Sequence, residues 1–148
     1  MRVLMAAMAM SVVCGQALAS GGIACGADDD NVLIRLDGGV SRGMGSALFS
    51  FDGEVHMRGD GVAADLAETK FGRGEVAQYW LDEDGLKLRL YRERAGDRPH
   101  GYVELIVDAP SGENAEGNYR VEMYDMEQEN DGEAATASLS GSIRCIVE

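Results

Sequence analysis

A base for nucleophilic catalysis would have to be His56 or His100, the two histidines of the 148-residue chain. His56 falls on the polar side of an alternating run, and His100 follows Pro99 in a loop. Neither position predicts an imidazole held in a cleft between a nucleophile and an orienting carboxylate. Glu54, Glu104 and Glu122 fall on expected strands and could supply a carboxylate pair for glycoside hydrolysis. Among 26 acidic side chains some pair always lies at a suitable distance, so that pattern selects none. The chain is read as a non-enzyme, with no catalytic residue and no cofactor assigned.

Oxygen ligands for calcium occur in Asp28-Asp29-Asp30, in Asp82-Glu83-Asp84-Gly85 and in the run Glu127 to Glu133. The last has oxygen ligands at alternate positions followed by Gly132, as an EF-hand loop does. Its twelfth position is Ser138, where that loop needs a bidentate Glu. Solvated turns are the expectation for all three. Met57, Met123 and Met126 with His56 are soft ligands that copper would accept, but Met57 and Met123 fall on inward strand positions, where packing accounts for them. No metal site is assigned.

Cys25 and Cys145 lie near the two ends of the chain, with no C-x-x-C spacing and no histidine cluster beside them. An isolated pair of this kind is expected to form a disulfide in an oxidising compartment. Tyr91, Tyr102 and Tyr124 fall on outward strand positions. Exposed tyrosines present an apolar ring with a polar tip, so these three are the candidate binding surface.

The elements that must position these groups read as short alternating runs between turn signals, with only two prolines, Pro99 and Pro110. Val32 to Leu36 is a first strand, ended by Asp37-Gly38-Gly39. Ser46 to Phe51 and Glu54 to Arg58 form a hairpin across Asp52-Gly53, the dipeptide a type I′ turn prefers. That hairpin puts Ala47, Phe49 and Phe51 on one face. Residues 62–69 suit a short helix or a strand, and Gly72-Arg73-Gly74 breaks the chain. A second hairpin joins Glu75–Leu81 to Leu86–Arg92 through Asp82-Glu83-Asp84-Gly85. Tyr102 to Asp108 and Asn118 to Met126 follow, separated by a loop from Ala109 to Gly117. The last run alternates Ala135, Ala137, Leu139, Gly141, Ile143 and Cys145 against Thr136, Ser138, Ser140, Ser142 and Arg144, one face buried and one wet. The fold class is all-β: one antiparallel sandwich or small barrel of about seven to eight strands, its termini tied by a disulfide.

Residues 1–19 read as a cleavable secretory signal peptide: Arg2, an apolar run, and Ala17-Leu18-Ala19 before a cut between Ala19 and Ser20. The apolar run is too short to cross a bilayer as a helix. Cys14 follows Val13, where a lipid-attachment site usually wants a small residue. Residues 20–148 then form a single exported domain. Of the 13 basic residues only Arg2 lies in the leader, so the remaining 12 oppose 26 acidic ones, a formal charge of −14. That surplus argues against nucleic acid and anionic lipid as partners and allows a cationic protein, although keeping an exported protein soluble accounts for it more simply.

Ser140-Gly141-Ser142 resembles part of a short motif in bacterial lysozyme inhibitors, which are also small exported disulfide-bonded β proteins. Ile143 and Arg144 depart from the continuation of that motif, and no family is assigned. The functional expectation is a non-catalytic protein-binding module of the bacterial periplasm or cell exterior. The alternatives are a carrier holding a small ligand in a barrel cavity, and an acidic inhibitor of a cationic hydrolase.

Overall fold

In the computed structural model, residues 20–43, 45–59, 61–130 and 133–147 are described; the leader expected at 1–19 lies outside them. Alternating apolar and polar residues make strands with one buried face. Nine of them form in chain order: β1 (Ser20–Asp28), β2 (Val32–Ser41), β3 (Leu48–Met57), β4 (Glu68–Gly72), β5 (Val76–Asp82), β6 (Gly85–Glu93), β7 (Gly101–Ala109), β8 (Gly112–Asn130) and β9 (Glu133–Val147). A one-turn helix α1 (Ala64–Ala67) precedes β4, and a 3-10 turn (Arg73–Glu75) joins β4 to β5. All pairings are antiparallel, in one sheet ordered β4-β3-β2-β1-β9-β8-β7-β6-β5. The sheet curls into a nearly closed barrel.

Closure is shared by β4 and β5, which continue one another across the 3-10 turn. β4 pairs with Asp52–His56 of β3, whereas β5 pairs with the Gly85–Leu90 half of β6. Each leaves a gap on its other side, and a side chain bridges each one. Arg92 of β6 donates to the Lys70 carbonyl of β4 at 2.5 Å, and the Tyr79 hydroxyl of β5 donates to the Ser46 carbonyl at 2.7 Å. Inward side chains from all nine strands, together with Leu66 of α1, join one core; Ile34, Phe71, Leu86, Leu90, Leu105 and Ile143 are fully buried in it.

The Cys25–Cys145 disulfide lies inside this core. The two residues are directly opposed partners of β1 and β9, with Cα atoms 4.1 Å apart. Thus the first and last strands are neighbours, stapled where they meet.

The all-β antiparallel fold and the tied termini agree with the sequence; of sandwich and barrel the chain takes the barrel, with nine strands among the described residues instead of about seven to eight, and several boundaries move. Asp52-Gly53 is not a turn: β3 runs straight through it, and Gly53 pairs with Leu36 on one side and Phe71 on the other. Gly53 serves close packing there, since a Cβ would sit 2.9 Å from Leu36 Cδ2. Asp37-Gly38-Gly39 likewise lies within β2, and the reversal to β3 falls after Ser41, where Gly45 and Ser46 have positive φ. A register shift beside Gly39 turns Phe49 outward, leaving it and Ala47 exposed while Phe51 is buried. Residues 62–69 hold both alternatives in sequence, α1 and then the start of β4. The expected loop at 109–117 is mostly the irregular beginning of β8, with Pro110 and Ser111 making the turn.

Gly141 marks how tightly one barrel end is packed. A Cβ there would lie 2.8 Å from the Tyr119 ring and hydroxyl and 3.0 Å from Asp29 Oδ2. Tyr119 of β8 donates to Asp29 at 2.5 Å, and the other oxygen of that carboxylate accepts the amides of Asn31 and Val32. Gly141→Ala therefore displaces the ring and this hydrogen bond. An unfolding free energy lower by about 1–3 kcal/mol is expected in urea titration, the range for overpacking a filled core.

Candidate functional site

Alternation on β5 to β8 sends one set of side chains to the outside of the barrel, and cross-strand register sets what they meet. Tyr102 of β7 lies directly opposite Tyr124 of β8, and their rings stack with centroids 5.5 Å apart. Tyr91 of β6 lies diagonally across from Tyr102, its centroid at 5.3 Å. His100, just before β7, adds a fourth ring, 5.9 Å from Tyr102 and 5.8 Å from Tyr124. The three tyrosines singled out from the sequence thus form one continuous, half-buried aromatic platform.

Charge surrounds it in ordered rows. Glu93 pairs across the sheet with Tyr102 and accepts the Tyr91 hydroxyl at 3.0 Å. Burial, followed by Glu93, raises the pKa of that phenol. In the next row Glu104 and Glu122 face each other across β7 and β8. Like charges in that arrangement repel, and each has its own counterion: Arg89 Nε lies 2.5 Å from Glu104, and Arg120 Nε 3.2 Å from Glu122. Further along the same face a depression of about 830 Å³ is lined by Trp80, Lys87, Arg89, Ile106 and Arg120. Trp80 is 63% exposed, its indole N–H given to Asp82 at 2.6 Å. Trp80 shares its outward register with Gln78 and Asp82, an alternation present in the sequence of β5.

Comparison with family models, with curated proteins and with solved structures finds no match for this chain.

The remaining candidates do not converge. His56 Nε2 lies 3.7 Å from Glu68, both exposed beside a cleft of about 670 Å³ between β4 and β6, a separation too long for a hydrogen bond. Gly39-Val40-Ser41-Arg42-Gly43 has the spacing of a nucleophile elbow. Ser41 ends a strand and is followed by a turn and another strand, whereas the elbow requires a helix there. His56 pairs with Leu33, eight residues back along β2, which at ~3.3 Å per residue is about 26 Å from Ser41. Glu54 is bound to Arg35 at 3.1 Å. Met57 and Met123 are buried while His56 faces out, so they share no ligand. Asp82 accepts the amides of Asp84 and Gly85 as well as the Trp80 indole, and Asp29 is committed to Tyr119 and its own turn. Among the described residues no group of three or more His, Cys, Asp or Glu side chains is placed to hold a metal ion.

One polar cluster went unread in the sequence. Arg94, its side chain 2% exposed, donates to Asp125, which is fully buried, at 2.8 Å, and to Asp65 of α1 at 2.7 Å. It also donates to the Pro99 carbonyl at 2.9 Å, and Arg98 pairs with Asp65 at 3.0 Å and with Glu127. The cluster fastens α1 and the 94–100 loop over one barrel end. The Arg94 hydrogen bond lowers the pKa of Asp125; burial raises that of Asp65, but Arg94 and Arg98 outweigh it and the net shift is downward. The Tyr119 hydrogen bond lowers Asp29 in the same way. Groups with depressed folded pKa values stabilise the fold above their unfolded pKa, and that stability is lost as pH falls through the folded values. Chemical denaturation midpoints are therefore expected to hold steady from neutral pH down to about pH 5, and then to drop as the medium passes below the ordinary Asp pKa of ~3.9.

Proposed function

We propose that this chain is an exported, non-catalytic binding module that engages a protein partner through the outer face of β5 to β8. The observation carrying the reading is the contact of Tyr91, Tyr102, Tyr124 and His100 in one platform, with the exposed Trp80 further along the same face. Tyrosine, tryptophan and arginine are the residues that dominate interface energetics, and rigid rings lose little entropy on binding. The outward positions of β1 and β9 are mostly small instead, Gly22, Ala24, Gly26, Ser138, Ser140 and Ser142, with Arg144 and the exposed Ile146 only near the end of β9. A formal charge of −13 over the whole chain favours a cationic partner and speeds encounter with it. A disulfide between Cys25 and Cys145 is compatible with an oxidising compartment, the periplasm or cell exterior on this reading, and no described helix is long and apolar enough to cross a membrane. An inhibitor of a cationic hydrolase is one specific form of such a module. A small-ligand carrier has less in its favour, because inward side chains from every strand fill the barrel interior.

The test is affinity capture on the oxidised protein beside its Tyr102→Ala/Tyr124→Ala/Trp80→Ala variant, at low and high salt. A stoichiometric protein retained by the parent, released by salt and lost from the variant is expected. Equal retention by both, or no retained protein, would overturn the reading.

A further inference from the structure

Glu93 stands apart from the other carboxylates of the aromatic platform. Glu104 and Glu122 each have an arginine of the same chain in contact, whereas Glu93 has no cationic partner among the described residues. Both of its sequence neighbours are arginines, yet both are committed elsewhere. Arg92 reaches across the seam to the Lys70 carbonyl, and Arg94 is buried between Asp125 and Asp65. Glu93 receives only the Tyr91 hydroxyl, and it projects beside Tyr102, its cross-strand partner. An uncompensated exposed carboxylate is thus fixed at the edge of tilted and stacked tyrosine rings.

Resting on the binding-module reading, we infer that this corner, made by Tyr91, Tyr102 and Glu93, is the seat for an arginine side chain presented by the protein partner. A guanidinium is planar and weakly hydrated, so it stacks on an aromatic face while its N–H fork meets a carboxylate. An ammonium on a flexible stem is more strongly hydrated and gains less from the rings. The charge complementarity is local: one carboxylate lacking a counterion, met by one cation. The acidic surface as a whole steers the encounter, and this corner fixes the register of the partner.

The probe is a blocked Gly-Gly-Arg-Gly-Gly peptide titrated into the isotopically labelled oxidised protein, with amide shifts followed by NMR. Citrulline and lysine versions serve as controls. Shifts confined to β6, β7 and the Tyr124 region of β8 are expected for the arginine peptide. Binding should be lost with citrulline and weakened severalfold with lysine. Glu93→Gln, an exposed and nearly isosteric change that leaves the spectrum dispersed, should weaken the arginine peptide at least fivefold, and Tyr102→Ala should do the same. Shifts spread evenly over Asp37, Asp52 and Glu113, unchanged affinity in Glu93→Gln, or equal affinity for lysine would each overturn the inference. Protein capture that depends on the tyrosines but is indifferent to Glu93→Gln would sink the arginine seat and leave the docking face standing.

Discussion

Replacing Cys25 and Cys145 together by serine is expected to lower the unfolding free energy by about 4–5 kcal/mol, the chain-entropy value for a loop of this length. The two cysteines are 120 residues apart in sequence, so the bond closes a loop spanning nearly all of residues 20–148 and removes its loop-closure entropy from the unfolded chain. Its position adds a second reason. β1 and β9 share only the register from Ile23↔Val147 to Gly26↔Arg144, whereas β8 and β9 pair along nearly their whole length. The β1–β9 seam is the one place where backbone pairing joins the β4-to-β1 half of the sheet to the β9-to-β5 half among the described residues; across the split strand β4–β5 the halves are linked by side chains. The bond staples a short seam between two half-sheets. In hydrogen exchange, amides of β1 and of the Arg144–Val147 end of β9 should lose protection in the serine variant before those of β6 to β8 do. Urea titration of oxidised and reduced protein supplies the energy. A loss below about 1 kcal/mol would mean that residual structure in the unfolded chain already holds its ends together.

Physical reasons separate what was legible in the sequence from what was not. The β5–β6 hairpin and β9 could be read because period-2 order over many residues leaves one solution for which face is buried. For the same reason Cys145 could be placed inside and Tyr91, Tyr102 and Tyr124 outside. Glycine misled, because it serves two ends. At Asp52-Gly53 it gives room for Leu36 within a curved strand, while the same dipeptide is the preferred hairpin turn. Only the identity of the residue across the sheet decides between these uses, and a single sequence does not reveal it. The split of β4 from β5 is likewise a property of closure, set by how many strands surround the core. Of the candidate site, the tyrosines were visible as a pattern, but their contact depended on the β6–β7–β8 register. The isolation of Glu93 depended on where its two neighbouring arginines reach.

Asp125 shows a signal that was present and unused. It continues the inward series Tyr119, Val121 and Met123, so alternation alone puts a carboxylate inside the barrel, and a buried charge demands a partner. That partner is Arg94, and Arg94→Met is expected to cost about 3–5 kcal/mol, the range for breaking a buried ion pair from one side. The cost arises because Asp125, whose Oδ2 already has no hydrogen-bond partner among the described residues, loses the guanidinium on Oδ1 as well. The pH dependence should reverse with it. In the parent the depressed Asp125 pKa stabilises the fold above the acid range, whereas without Arg94 burial raises that pKa and favours the protonated form. The deficit of Arg94→Met should therefore shrink as pH falls toward the ordinary carboxylate value of ~3.9 and grow toward neutrality. Adding Asp125→Leu to Arg94→Met removes the stranded charge and should recover most of the loss, since apolar replacement of a buried pair is often neutral or better. If the double variant were no more stable than Arg94→Met, the stabilisation would lie in the grip of Arg94 on Asp65 and the Pro99 carbonyl, and the charge on Asp125 would be incidental.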